Sequence, residues 1–129
     1  MSSPPTLSVY ICDNYGALRD LIRFSLEDDA RIRVVGEAED AITCVRELPD
    51  VRPDVLVLDL RMPGITGLEA VPEIRSASPD TRIVVYSQYI DDATASELAD
   101  AGVEAWLRKD EDLGELRATV LKVGGLSAI

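Results

Sequence analysis

Histidine is absent from the 129 residues, and cysteines and basic residues are few. Without histidine, the chain alone cannot use a histidine base, carry a phosphohistidine or hold a His-ligated zinc ion. Its two cysteines, Cys12 and Cys44, are too few for a disulfide framework and favour a cytoplasmic location. Thirteen bases against 24 acids give a net charge of −11, which argues against direct nucleic-acid binding by this chain.

Long apolar runs are missing as well. No segment approaches the roughly 20 residues that a membrane helix needs, so we expect no membrane contact. The first residues, MSSPPTLSVY, do not have the basic and apolar regions of a secretory signal. The length and the 47% of hydrophobic residues are typical of one globular domain. We expect that domain at residues 7–123, after a flexible arm at 1–6 and before a linker or tail that begins at 124–129.

Apolar and β-branched runs predict five short strands. These runs are Leu7–Cys12, Ile32–Ala38, Val55–Leu58, Arg82–Ser87 and Ala105–Arg108. Helical apolar spacing follows each run; Asp40 is placed to cap the second helix, which should end near Pro49, and Pro72 should kink the third. Five strands alternating with five helices predict an α/β domain with a doubly wound parallel sheet.

Polar side chains follow four of the five predicted strands. They are Asp13 and Asn14 after the first, Asp59 after the third, Ser87 after the fourth and Lys109 after the fifth. In a parallel sheet these positions meet at one edge, where ligands bind. Two neighbouring carboxylates tolerate each other when they share a divalent cation such as Mg²⁺, and a lysine and a hydroxyl can hold phosphoryl oxygens. Each residue alone is more often a cap, a turn residue or a solvated cation, and it is their convergence that indicates phosphoryl transfer.

Four sequence segments resemble the receiver domain of bacterial two-component response regulators. They are VVGEAED (34–40), VLVLDLRMPGITGLE (55–69), VVYSQYIDD (84–92) and AGVEAWLRKD (101–110), and the likeness extends over about residues 7–123. The nearest branch is that of the nitrate-response and LuxR-type regulators. The resemblance implies a flavodoxin-like, CheY-like (βα)5 fold with helices on both faces of a five-stranded parallel sheet.

The resemblance also implies a role for each strand-end residue. Asp59 would accept a phosphoryl group from a phosphohistidine of a sensor histidine kinase. Ser87 and Lys109 would each bind a phosphoryl oxygen. Magnesium would be held by Asp13, by Asp59 and by the backbone carbonyl of Arg61. The domain is then a signalling switch and not an enzyme, apart from catalysing its own phosphorylation.

Asn14 departs from the family pattern of two adjacent acids after the first strand. Counting back from Arg19 and from Gly36, as this branch of the family is spaced, places the second acid at position 14. Asp13 therefore stands for the first acid, Asn14 replaces the second, and Cys12 is an apolar strand residue. Because an amide oxygen brings no charge, we expect Asn14 to be a weak or lost magnesium ligand. Alternatively, Asn14 caps the first helix and the domain is a pseudo-receiver, a binding or dimerisation module that works without phosphorylation.

Residues near the fourth and fifth strands are candidates for the switch and its output. Trp106 lies where the family has a switch aromatic, which would move with Ser87, although it could equally be a core aromatic. Tyr89, Ile90 and Trp106 form a candidate face for a homodimer or an interdomain contact, or else ordinary packing between the last two helices. Gln88 could shield the phosphoryl group, and Arg61 could pair with an acid of the pocket.

Two further expectations concern function as a whole. Members of this branch usually continue into a helix-turn-helix DNA-binding domain, so the expected output is transcription regulation through a domain that this chain does not contain. A flavodoxin-like cofactor domain is the remaining alternative. It is disfavoured because the first loop, DNYGALRD, offers no phosphate-binding set of Ser, Thr and Gly residues.

Overall fold

A computed structural model describes residues 6–126 of the chain. Strands and helices alternate as β1 (Leu7–Cys12), α1 (Gly16–Glu27), β2 (Ile32–Ala38), α2 (Ala41–Val51), β3 (Val55–Leu58), α3 (Gly67–Ala77), β4 (Arg82–Ser87), α4 (Asp92–Asp100), β5 (Ala105–Arg108) and α5 (Leu113–Val123). All five predicted strands are confirmed with the predicted bounds. Most of the predicted arm and the last three residues of the predicted tail lie outside the described residues.

The sheet is parallel throughout, with the strand order β2-β1-β3-β4-β5. The chain reverses its winding direction after β2, so β1 and β3 are neighbours and their carboxyl ends flank the switch point where ligands bind in such folds. The prediction of a doubly wound parallel α/β sheet is therefore confirmed.

β1, β3 and β4 contribute alternate residues to two separate cores, one on each face of the sheet, whereas β5 contributes Ala105 and Leu107 to one core only. Tyr10 and Cys12 of β1 pack in the core under α2, α3 and α4, whereas Val9 and Ile11 pack in the core under α1 and α5. Both cores are fully buried because helices cover both faces, which is why β3 is apolar along its whole length. None of the helices described for residues 6–126 is both long enough and apolar enough to cross a bilayer.

The helix boundaries follow local sequence signals. Asp40 caps α2 by accepting a hydrogen bond from the Thr43 amide at 2.7 Å, and Thr66 forms a capping box with Glu69 at the start of α3. The expectation that α2 ends near Pro49 is met to within two residues, since the helix continues to Val51. Pro49 in the last turn costs the helix one backbone hydrogen bond. The last turn is nevertheless formed, because the amide of Arg52, which follows Val51, donates to the Leu48 carbonyl at 2.8 Å. Pro72 lies within α3, and the predicted kink there stays a prediction.

Candidate functional site

The carboxyl edge of the sheet brings the predicted site residues together. Backbone hydrogen bonds extend the sheet ladder one residue beyond each strand: Asp13 N donates to Ala38 O at 3.0 Å, Asp59 N to Cys12 O at 2.9 Å and Lys109 N to Ser87 O at 2.9 Å. The side chains at these positions are consequently held by the sheet itself and not by mobile loops. Asp13 and Asp59 are 2% and 3% exposed, and Ser87 is 1% exposed.

The two buried carboxylates share the ammonium group of Lys109. Its Nζ lies 2.8 Å from Asp13 Oδ2 and 3.3 Å from Asp59 Oδ2, and it also sits 5.9 Å from the centre of the Tyr15 ring. We expected Lys109 to face phosphoryl oxygens and a metal ion to bring the carboxylates together. In the structure, the lysine itself is the cation between them.

Burial and charge act in opposite directions on Asp59. Burial raises the pKa of its carboxyl group above the ordinary value, and the nearby Asp13 carboxylate raises it further. Lys109 lowers the pKa of Asp59, as does the Arg61 amide, which donates to Asp59 Oδ1 over a long 3.4 Å, and the net direction is upward. The Asp59 carboxylate is therefore less stabilised in its charged form than an exposed one, and its Oδ1 is weakly bonded.

Asp13, in contrast, has a partner for each of its polar atoms. Its Oδ1 accepts from the Tyr15 amide at 2.9 Å, its Oδ2 faces Lys109, and its backbone oxygen accepts from Arg19 Nη1 at 2.6 Å. Tyr15 and Arg19 are site residues that sequence reasoning did not assign. In the sequence analysis Arg19 served only to locate position 14 by counting back along the chain. Its position one turn into α1 nevertheless indicates that its side chain could reach the loop before the helix.

Two buried polar atoms at this edge are without a hydrogen-bond partner among residues 6–126: the amide oxygen of Asn14 and the hydroxyl oxygen of Ser87. The alternative that Asn14 caps the first helix is wrong, since the N-cap residue of α1 is Tyr15 and no side chain caps it. Asn14 instead lines a cleft of about 560 Å³ together with Glu39, Asp40 and Pro63. Buried polar atoms in proteins are almost always paired, so these two atoms indicate a place for a ligand.

The oxygen atoms of the site are of the kind that binds a hard divalent cation, although these ligands carry little negative charge. Asp13 and Asp59 provide two carboxylates, and the unpaired Asn14 oxygen is a neutral donor that Mg²⁺ accepts. Within the described part of the chain, no three acidic or cysteine side chains are grouped as a metal site. The site therefore carries a formal charge of −2 before Lys109 is counted, as the Asn14 substitution leads one to expect.

Of the candidate switch and output residues, Ser87 is buried, whereas Trp106 in β5 and Tyr89 after β4 are exposed. Trp106 is 36% exposed and Tyr89 is 60% exposed, so the interpretation of Trp106 as a core aromatic is wrong. Among the described residues Arg61 forms no ion pair with an acid; its guanidinium lies 5.5 Å from the centre of the Tyr89 ring, a cation–π contact. Ile90 is half-buried against the core, and Gln88 is exposed.

Fold and site together define a doubly wound α/β domain with a cluster of two buried carboxylates bridged by a lysine at the carboxyl edge of its sheet. The family model of the response regulator receiver domain matches residues 9–121. The chain belongs to the response regulator receiver domain family, which is a family of signalling domains.

Curated relatives include several transcription regulators. The chain is 30% identical over 117 residues to the response regulator GacA of Pseudomonas aeruginosa, a match that covers 91% of this chain and 55% of GacA. It is 31% identical over 118 residues to the DNA-binding transcriptional activator DevR/DosR of Mycobacterium tuberculosis, with 92% and 54% covered. The chain thus spans about half the length of the curated relatives it matches.

Solved structures give the same assignment. The receiver domain of the NarL regulator of Mycobacterium tuberculosis superposes with a TM-score of 0.88 at 28% identity, covering 95% of this chain and 98% of that one. The isolated receiver domain of RcsB from Salmonella enterica, solved with the phosphomimetic BeF3⁻, gives a TM-score of 0.84 at 28% identity, with 95% and 91% covered. The receiver domain of CheB from Thermotoga maritima, at 21% identity and a TM-score of 0.85, supports the fold alone.

Proposed function

We propose that this domain accepts a phosphoryl group on Asp59 from a sensor histidine kinase and thereby switches an output, which is transcription through a DNA-binding region of the complete regulator. The observation that carries the proposal is the pairing of Asp59 with Lys109 beside the unpartnered hydroxyl of Ser87. An anion receptor needs a cation and a free donor at the reacting carboxylate, and this edge offers both. Membership of the receiver family and the transcription regulators among its relatives support the output.

In the proposed transfer, an oxygen of Asp59 attacks the phosphorus of a phosphohistidine. The P–N bond breaks, its electron pair goes to the histidine nitrogen, and an aspartyl phosphate forms. Lys109 and Ser87 would each hold a phosphoryl oxygen, which requires Lys109 to loosen its contact with the carboxylates. Mg²⁺, held by Asp13, Asp59, the Arg61 carbonyl and weakly by Asn14, would neutralise phosphoryl charge.

The direct test is phosphorylation with a small phosphodonor such as acetyl phosphate in the presence of Mg²⁺. We expect intact-mass spectra to show a gain of one phosphoryl group in the native domain and none in Asp59→Asn. Asp80→Asn, which removes an exposed acid between α3 and β4, is the matched control and should behave like the native domain. No mass gain at saturating Mg²⁺ would refute phosphorylation.

A second candidate is a pseudo-receiver that binds its partner without phosphorylation, and Asn14 favours it because the metal site carries one acid fewer. In that case Asp59→Asn and the native domain should bind the cognate kinase or output region equally, with or without phosphodonor.

For either candidate, we propose that a homodimer or interdomain contact uses Tyr89, Ile90 and Trp106, of which Tyr89 is the most exposed. Substituting Tyr89 by Ser should then weaken association in analytical ultracentrifugation of the complete regulator.

A further inference from the structure

Arg19 of α1 forms a hydrogen bond with the backbone of the loop that carries Asp13 and Asn14. Arg19 Nη1 donates to the backbone oxygen of Asp13 at 2.6 Å. That oxygen belongs to the peptide group joining Asp13 to Asn14, so the hydrogen bond restrains the rotation of this peptide. The orientation of this peptide decides where the Asn14 side chain points. The amide oxygen of that side chain is the atom of the site without a hydrogen-bond partner that could bind a metal ion.

Arg19 is itself held by an acid on the neighbouring strand. Its Nε lies 3.3 Å from Glu37 Oε1, an ion pair without hydrogen-bond geometry, and the two side chains are 20% and 24% exposed. Arg23, one turn further along α1, reaches the other oxygen of Glu37 at 2.6 Å. Glu37 of β2 therefore contacts Arg19 of α1, and Arg19 in turn contacts the peptide that joins Asp13 to Asn14. Arg23 shares the same acid, but in the part of the chain that the structure describes it has no hydrogen bond or ion pair with residues 13–15.

We infer that Arg19 is a positioning residue that orients the Asp13–Asn14 peptide and thereby sets the affinity of the acid site for Mg²⁺. The inference rests on the magnesium site of the proposed function, but not on phosphorylation. A neutral ligand depends more on its orientation than a carboxylate does, because it has one oxygen and no charge to attract the ion from a distance. Residues that hold a metal ligand in place typically contribute about 10- to 100-fold to metal affinity.

The test titrates Mg²⁺ alone into ¹⁵N-labelled domain and follows the backbone amide signals of residues 13–15. We expect Arg19→Met to raise the Mg²⁺ dissociation constant about tenfold or more, and to shift the Asn14 amide signal before any metal is added. Arg23→Met is the matched control, since it removes an arginine from the same acid and the same helix. In Arg23→Met the Mg²⁺ dissociation constant should stay within about twofold of native and the Asn14 amide signal should not shift. The reason is that, of these two arginines, only Arg19 has a contact with residues 13–15 in the part of the chain that the structure describes.

If Arg19→Met does not fold, Arg19→Lys takes its place: lysine keeps the charge but cannot hold a carbonyl and a carboxylate with one planar group. The inference is overturned if Arg19→Met and Arg23→Met have the same Mg²⁺ affinity, or if the native domain binds no Mg²⁺. Failure of phosphorylation is a separate result. A native domain that binds Mg²⁺ in an Arg19-dependent way but gains no phosphoryl mass would refute the proposed function and leave the inference standing.

Discussion

Lys109 Nζ lies 2.8 Å from Asp13 Oδ2, nearer than its 3.3 Å distance to Asp59 Oδ2. The lysine therefore neutralises Asp13 more closely than Asp59, the proposed phosphoacceptor. Since Asp13 has partners for both carboxylate oxygens and Asp59 is weakly bonded at Oδ1, Asp59 is the freer of the two acids.

Removing this lysine should destabilise the domain strongly at neutral pH. Lys109→Met leaves two buried carboxylates without a cation, and breaking such a buried arrangement typically costs about 3–5 kcal/mol. The loss should shrink as the pH is lowered, because Asp59, whose pKa is raised by burial and by Asp13, takes up a proton and its repulsion with Asp13 disappears. Urea unfolding at pH 7 and pH 4.5 measures both effects. Arg108→Met, which removes an exposed cation from the same strand, should change the free energy of unfolding by less than about 1 kcal/mol.

Asp59 should make the domain less stable as the pH rises. Its pKa is raised on folding, so between the ordinary value and the folded value the folded state binds more protons than the unfolded state. The free energy of unfolding then falls with rising pH in that window, and Asp59 imposes a penalty above it. Asp59→Asn should remove this slope and raise the thermal midpoint at pH 7. Thermal unfolding from pH 3.5 to 7 measures it, and an Asp59→Asn variant less stable than native at pH 7 would contradict the assignment.

Restoring an acid at position 14 should strengthen metal binding. Asn14→Asp makes the formal charge of the metal ligands more negative, from −2 to −3. We expect Mg²⁺ affinity to increase about tenfold or more, because ligand charge is a main determinant of affinity for hard cations. Without metal the same variant should be less stable, since a third carboxylate adds repulsion. Calorimetric titration with Mg²⁺ and thermal unfolding in EDTA measure the two effects. Asn14→Ala, which removes the donor oxygen, should change affinity in the opposite direction.

Gly67 at the start of α3 is packed against the backbone of Asp59. A Cβ atom there would lie 2.2 Å from the carbonyl oxygen of Asp59 and 3.0 Å from Leu60 Cα, so the loop after β3 would have to move. We expect Gly67→Ala to cost about 1–3 kcal/mol of stability, and to slow phosphorylation because Asp59 is displaced. Gly16→Ala is the control, since a Cβ at that position meets nothing nearer than 3.5 Å. Equal unfolding midpoints for the two variants would refute this close approach.

Trp106 offers an optical readout of the switch, because it is the only tryptophan and is 36% exposed. If its ring moves inward when Ser87 engages a phosphoryl oxygen, the emission maximum should shift to shorter wavelength on addition of BeF3⁻ and Mg²⁺. Ser87→Ala should abolish the shift. A native domain whose emission does not change while ¹⁹F NMR shows bound BeF3⁻ would remove Trp106 from the switch.

Local sequence was sufficient for the five strands and for the cap of α2. Strand bounds depend on runs of apolar and β-branched residues, and caps depend on side chains within three residues of one another, so both can be predicted along the chain. It also indicated which polar residues reach the edge of the sheet, since they directly follow the strands. The continuation of α2 from Pro49 to Val51 was not predicted, because a proline weakens a last helical turn without always ending it.

Which charges meet was decided by the tertiary structure. Lys109 bridges Asp13 and Asp59 because the order β2-β1-β3-β4-β5 brings the ends of β1, β3 and β5 within reach of one ammonium group. Arg61 stacks on Tyr89, and Arg19 bonds the Asp13 carbonyl, through side-chain contacts that no spacing rule encodes. The amino-acid sequence by itself determined the elements and the groups available for chemistry. Folding determined their partners, because the strength of an electrostatic contact depends on distance and burial, and these exist only once distant segments have packed together.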